Sequence, residues 1–123
     1  MKSLLTIVAL VLWSGMVAAQ HNHGAVKGPN GGPMQDIAGV HAELVVSGTV
    51  VTINLLDESN KPAPAKGFTG QVLIVSGGNR EMVPLAVVGD SALRGEAKAA
   101  LAPGASITLV LRSGDGKSGQ VKF

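Results

Sequence analysis

Short segments of alternating apolar and polar residues, rich in Val, Ile, Leu and Thr, fill the chain from Val40 onward. Alternation with a period of two places every second side chain on the same face, as in a half-buried β-strand. Clusters of Gly, Pro, Asn and Asp separate these segments and are typical of turns. No segment keeps the longer apolar period of a helix, so the pattern predicts an all-β domain over residues 40–123.

Seven strands are predicted from this pattern, at residues 40–46, 49–56, 68–75, 81–88, 93–100, 107–112 and 119–123. The segment 93–100 alternates weakly, and its Ala-rich end also fits a helical turn. Pro84 lacks a backbone N–H, so it indicates an edge strand or an irregular strand. About seven short strands predict an immunoglobulin-like β-sandwich. Its core would be aliphatic, with Phe68 and Phe123 as the large anchors.

Residues 1–19 have the organisation of a signal peptide. Lys2 precedes an apolar run at 4–12, and small residues precede a cleavage site after Ala19. The run is shorter than the about 20 residues that span a bilayer, which argues against a membrane anchor. The segment predicts a cleaved signal helix, export to the periplasm, and no membrane anchor after cleavage.

Composition excludes several classes of function. The net charge is only +2 and aromatic residues make up 2% of the chain, so we expect no nucleic-acid partner. The chain has no cysteine, which excludes disulfides, thiolate metal sites and cysteine nucleophiles. No motif pairs a nucleophile with a base, so we do not expect an enzyme.

Residues 20–39 are rich in Gly and Pro and show no apolar period, so we expect a flexible arm before the β-domain. His21 and His23 lie in this arm, and His41 lies in the first predicted strand. Neutral imidazole is the commonest metal ligand, and a flexible arm can bring two of them to one ion. Gln20 can cyclise at the new N-terminus. If trimming instead exposed His21 as the N-terminus, its amine, two backbone amides and the His23 imidazole would chelate Cu²⁺ or Ni²⁺.

His41 and Glu43 lie two residues apart in a strand, so their side chains are predicted to share a face and to form a rigid half-site. Met34 and Asp36 are weaker candidates, offering a thioether and a carboxylate. Three imidazoles with one carboxylate suit tetrahedral Zn²⁺ or tetragonal Cu²⁺. The same residues also fit an interpretation without a metal. His21 and His23 would then lie in a disordered tail, and His41 with Glu43 would form an exposed hydrogen-bonded pair. Met34 would pack against the sandwich.

A resemblance to a known family lies in the stretches His23-Gly24, Gly28-Pro29-Asn30-Gly31-Gly32-Pro33 and His41-Ala42-Glu43-Leu44. They resemble the signature of a small periplasmic heavy-metal-binding domain found in or beside CzcB-type heavy-metal efflux adaptor proteins. The resemblance implies a β-sandwich that binds Zn²⁺, Cu²⁺ or Co²⁺ through His23, His41 and Glu43. The long helical hairpin of the adaptors has no counterpart in this sequence.

Together these features predict an exported periplasmic protein that binds a divalent transition metal exchangeably, as a carrier, a buffer or an accessory of heavy-metal resistance. Its partners would be the metal ion and a heavy-metal efflux system in the envelope. The alternative is a metal-independent, immunoglobulin-like module that binds another protein through an exposed edge strand.

Overall fold

Eight strands make up the regular structure in the computed structural model, which describes residues 26–123. In chain order they are β1 (Met34–Ile37), β2 (Val40–Ser47), β3 (Val50–Leu56), β4 (Thr69–Ser76), β5 (Asn79–Val88), β6 (Ala92–Glu96), β7 (Ser106–Arg112) and β8 (Ser118–Lys122). Within this range there is no helix, and the all-β class is confirmed. The same range therefore holds no helix that could cross a membrane. The predicted signal helix at 1–19 lies outside the described residues.

All strand pairs are antiparallel, and their spatial order is β1-β2-β3-β6-β5-β4-β7-β8. The sheet curls until its first and last strands approach each other, which makes it nearly barrel-shaped. The side-chain amide of Gln35 in β1 donates to the backbone carbonyl of Lys122 in β8 at 3.2 Å and bridges the two ends. This closure places the β1–β2 hairpin beside the last strand.

Strand β5 changes its partner along its length. Residues 79–85 pair with β4, whereas residues 86–88 pair with β6. Pro84 lies next to this change and supplies no backbone N–H for a ladder. A Cβ atom on Gly95 of β6 would lie 2.6 Å from the Pro84 carbonyl oxygen, so the close approach requires glycine. The irregular strand expected at Pro84 is confirmed, but β5 lies between two strands and not at an edge.

Aliphatic side chains fill the interior of the curled sheet. The largest fully buried apolar side chains are Ile53, Leu55, Leu93, Leu109 and Leu111. Burial of a side chain of this size stabilises a fold by about 1.5–3 kcal/mol. The two phenylalanines expected as anchors pack against this core but remain partly exposed. They flank β4 and β8 at strand ends, where the sheet covers only part of each ring.

The seven predicted strands correspond to β2–β8, and most of their ends differ by one or two residues. The weakest prediction, 93–100, is a strand only as far as Glu96. The structure adds β1, which lies within the segment expected to be a flexible arm. Pairing runs through all eight strands as one sheet, so the two separate sheets of an immunoglobulin-like sandwich are not confirmed.

The β1–β2 hairpin turns through Ala38 and Gly39, because Ile37 pairs directly with Val40. Both turn residues have positive φ, 51° at Ala38 and 83° at Gly39. Positive φ at both central positions is the mark of a type I′ turn, which usually carries Asn-Gly or Asp-Gly. Because the first position is alanine here, the sequence lacks the usual signal for this turn. Ile37 is also the one buried side chain in β1, and a single buried position does not show the alternation of a strand.

Candidate functional site

Four predicted site residues lie together on the outer face of the β1–β2 hairpin. Met34 pairs with Glu43 across the two strands, and Asp36 pairs with His41. Ala42, between His41 and Glu43, is fully buried in the core, so these two side chains share the opposite face as the alternation predicts. We call these four residues the hairpin cluster.

The side chains of His41 and Asp36 are in direct contact, with Nδ1 of the imidazole against Oδ1 of the carboxylate. The His41 side chain is 28% exposed and that of Asp36 is 83% exposed. An ionised carboxylate only accepts hydrogen bonds, so Nδ1 carries the proton and donates it. In the neutral ring the lone pair is then on Nε2. The pair therefore orients the imidazole of His41, whose side chain is partly exposed.

Glu43 has a different environment from Asp36, because its side chain is fully buried. Its Oε2 accepts the backbone N–H of Asn30 at 2.8 Å and that of Gly32 at 3.0 Å. Its Oε1 accepts the side-chain amide of Asn30 at 2.8 Å. Glu43 was predicted to be a metal ligand beside His41, but both of its oxygens are occupied by donors from within the chain. It anchors a loop.

That loop comprises residues 28–33 and is called the Glu43 loop below. The Gly28 N–H donates to the Gly32 carbonyl at 2.7 Å, and the Gly31 N–H donates to the Gly28 carbonyl at 2.9 Å. A Cβ on Gly28 would lie 2.4 Å from Cδ of Glu43, and one on Gly32 would lie 2.0 Å from the Leu44 carbonyl oxygen. Both glycines are therefore required by the closeness of the loop to β2.

The Glu43 loop is the part of the site that sequence analysis missed. The stretch Gly-Pro-Asn-Gly-Gly was interpreted as flexible, and its donors to Glu43 were not anticipated. A usable signal exists in the sequence, since Glu43 lies between apolar residues and follows a glycine-rich segment by about ten residues. Backbone N–H groups exposed by glycine are natural partners for a carboxylate that would otherwise be buried alone.

The remaining two predicted ligands, His21 and His23, lie outside the described residues. Within residues 26–123, no group of three or more His, Asp or Glu side chains is arranged to hold a metal ion. To a candidate metal site, the described part of the chain thus offers the imidazole of His41 with its carboxylate partner Asp36, and the neighbouring thioether of Met34.

Another carboxylate with a defined partner, Asp115, lies away from the hairpin cluster, in the turn between β7 and β8. The Ser113 hydroxyl donates to Oδ1 of Asp115 and in turn accepts the Lys117 N–H at 2.9 Å. The hydrogen bond from Ser113 lowers the pKa of Asp115 below its ordinary value, with smaller favourable effects from Lys117. This turn has a structural role and no donor set for a ligand.

Comparison of the chain with models of protein families, with curated proteins and with solved structures finds no match. The resemblance of residues 23–46 to the efflux-associated domain therefore stays an expectation. The function has to be argued from the hairpin cluster and the chain that leads to it.

Proposed function

We propose that the chain is an exported periplasmic protein that binds a divalent transition metal ion, Zn²⁺ or Cu²⁺, through His41 together with His21 and His23. It would act as a metal carrier, a buffer or an accessory of heavy-metal resistance, in partnership with an efflux system of the envelope. The observation that carries the proposal is the contact between His41 and Asp36.

A histidine that ligates a metal commonly donates its other ring N–H to a carboxylate, which fixes the tautomer and raises the basicity of the ligating nitrogen. Asp36 provides this partner for His41 from the neighbouring strand. Asp36 would then be a positioning residue and not the ligand that the sequence suggested. The partial exposure of His41 leaves room for an ion to reach Nε2.

The chain reaches the hairpin cluster from the arm that carries the other two histidines. The Met34 N–H donates to the Val26 carbonyl at 2.8 Å, and Lys27 pairs with Pro33, so the chain enters alongside β1. His23 precedes Val26 by three residues, a span of at most about 10 Å. This tether supports a site in which the arm histidines join His41.

With Glu43 committed to its loop, the donor set differs from the one expected from the sequence. Three imidazoles remain, and the thioether of Met34 lies next to Asp36 along the same strand face. Imidazole and thioether donors suit Zn²⁺ and copper better than Mg²⁺ or Ca²⁺. Metal binding requires neutral imidazoles, so we expect affinity to fall in acid.

Calorimetric titration of the exported chain with Zn²⁺ and Cu²⁺ tests the proposal. We expect one ion to bind more tightly than about 100 μM and His41→Ala to abolish that binding. Asp36→Asn should weaken binding about tenfold, as loss of a carboxylate partner does elsewhere. Asp90→Asn, a change of the same kind at an exposed turn, serves as the matched control.

Three results would each contradict the proposal: no binding in this range, an unchanged affinity in His41→Ala, or equal effects of Asp36→Asn and its control. The mass of the chain recovered from the periplasm tests the other part of the proposal, which is export with cleavage after Ala19. We expect it to begin at Gln20, whereas recovery from the cytoplasm with residues 1–19 attached would overturn export.

A second candidate is a metal-independent, immunoglobulin-like module that binds another envelope protein. Met82 favours it, because its side chain is 50% exposed and pairs with Leu73 on the outer face of β4 and β5. Cross-linking in the presence of a chelator distinguishes the two candidates. A partner that is retained by His41→Ala but lost with Met82→Asp would support the second and count against the first.

A further inference from the structure

Asn30 has a chemical property that the metal proposal does not use. The sequence contains five asparagines, and Asn30 is the one followed by glycine; the others, Asn22, Asn54, Asn60 and Asn79, precede His, Leu, Lys and Arg. Asparagine is thermolabile, because its side-chain amide can be attacked by the backbone nitrogen of the next residue. Glycine at that position has no side chain to hinder the attack and the greatest freedom to reach its geometry. Both Asn30 and Gly31 are exposed to solvent.

We propose that Asn30 is a site of spontaneous deamidation and that conversion of its amide to a carboxylate opens the Glu43 loop irreversibly. In the first step the Gly31 nitrogen bonds to Cγ of Asn30, and the bond from Cγ to Nδ2 breaks. The proton of the Gly31 N–H leaves with Nδ2 as ammonia, and a five-membered succinimide remains. Solvent water then adds to one of the two ring carbonyls, the bond from that carbon to the Gly31 nitrogen breaks, and the nitrogen takes up a proton of the water. Cleavage at Cγ gives aspartate, and cleavage at the main-chain carbonyl carbon of residue 30 gives isoaspartate. No oxidant or reductant takes part.

The closed loop restrains both reacting groups. Nδ2 of Asn30 donates to Oε1 of Glu43 at 2.8 Å, and the Gly31 N–H donates to the Gly28 carbonyl at 2.9 Å. The Asn30 side chain has to leave Glu43 before Cγ can approach the Gly31 nitrogen. The reaction therefore proceeds from the locally opened loop, at a rate that follows the population of that state.

The product cannot re-form the closed loop. Aspartate at position 30 presents a carboxylate where the amide donated to Glu43, a side chain that is fully buried. Two carboxylates at hydrogen-bond distance with no proton between them repel each other, and the burial of Glu43 leaves little water on its side to screen the repulsion. Isoaspartate also adds a methylene to the main chain, which displaces the hydrogen bonds of Gly28 with Gly31 and Gly32.

Opening the loop changes how the arm is attached to the sheet. The Glu43 loop connects residues 26–27 to β1. Val26 and Lys27 also pair with Met34 and Pro33 at the beginning of β1. Release of the loop frees residues 26–27 and exposes the buried carboxylate of Glu43. Deamidation would thus act as a one-way change that accumulates with the age of the protein.

Peptide mapping by mass spectrometry tests the chemistry. The wild-type chain is incubated at mildly alkaline pH, once folded and once unfolded in urea, and acid formation is followed at each asparagine. We expect conversion at Asn30 in both samples, faster than at Asn60 or Asn79. The folded rate should be at least about tenfold lower, because a hydrogen bond to a charged group has to open first. No conversion at Asn30 in the folded chain, or equal folded and unfolded rates, would overturn the proposal.

A variant that carries the product side chain tests the structural consequence. Hydrogen exchange at the Gly32 amide, which is held by Glu43 at 3.0 Å, reports whether the loop is closed. We expect Asn30→Asp to lose at least about tenfold of this protection, while Asn79→Asp at the exposed beginning of β5 leaves it unchanged. Wild-type protection of Gly32 in Asn30→Asp would refute the opening of the loop.

Discussion

Glu43 and Asp36 are carboxylates on the same face of one hairpin, but their surroundings assign them opposite roles. Glu43 is fully buried, and three N–H donors from the Glu43 loop surround it. The Asp36 side chain is 83% exposed and contacts the imidazole of His41. The difference arises from what covers each position, since the glycine-rich loop passes over Glu43 and leaves Asp36 open. Two acidic residues that look equivalent in the sequence thus differ: Glu43 anchors a loop, whereas Asp36 is exposed to solvent beside an imidazole.

The largest effect is expected at the buried member of this pair. Glu43→Ala leaves the donors of Asn30 and Gly32 without their acceptor, and the Gly32 N–H is shielded from water. We expect a loss of about 3 kcal/mol in the free energy of unfolding, measured by urea titration. Glu43→Gln should recover only part of it, because its NH₂ group meets donors where the loop needs an acceptor.

Glu96→Ala is the matched control for this prediction. Glu96 is an exposed glutamate at the end of β6, with a single long hydrogen bond from Thr49 at 3.3 Å. Its removal should change stability by less than about 0.5 kcal/mol. Similar losses in the two variants would show that Glu43 does not anchor the loop.

The sequence predicted the strands well but did not predict the loop that covers Glu43, for a physical reason. Period-two alternation reports which face of β2 is buried against the core, and it placed His41 and Glu43 correctly on the outer face. It carries no information about what packs on that outer face. The Glu43 loop is irregular backbone whose contacts are set by two glycines fitting against β2, and such contacts have no periodic signal. β1 was missed for a related cause, because its turn uses alanine in a conformation that favours asparagine.

That turn provides a second test, since Ala38 and Gly39 fix the register that pairs Asp36 with His41 and Met34 with Glu43. Ala38 has a φ of 51°, where an L-residue with a Cβ is strained and asparagine is tolerated. We expect Ala38→Asn to raise the unfolding free energy by about 0.5–1 kcal/mol. Ala86→Asn, at an exposed position within β5, should give no gain. A loss of stability in Ala38→Asn would show that packing of the Ala38 methyl group against the core outweighs the strain.

The exposed member of the pair should matter much less for folding. Asp36→Asn removes an ion pair or a charged hydrogen bond at the surface, where such contacts contribute about 0–1 kcal/mol. We expect the free energy of unfolding of this variant, measured by thermal denaturation without metal, to differ from that of the wild type by less than about 0.5 kcal/mol. A loss comparable to that of Glu43→Ala would remove the distinction between the two carboxylates and give Asp36 a structural role.

Asp115 extends the comparison to a carboxylate that is exposed and yet serves the fold, and it carries the smallest expected effect. The Ser113 hydroxyl holds the pKa of Asp115 below its ordinary value of 3.8, so the folded state favours the ionised form. The resulting stabilisation is complete above pH 3.8 and is lost as the pH falls through the lower pKa of the folded state. Urea titrations over this acid range should therefore show a wild-type advantage over Asp115→Asn that disappears in acid. Because the group is solvent-exposed, added salt should reduce the advantage further. An advantage that persisted unchanged in acid would mean that the turn is held by the shape of Asp115 and not by its charge.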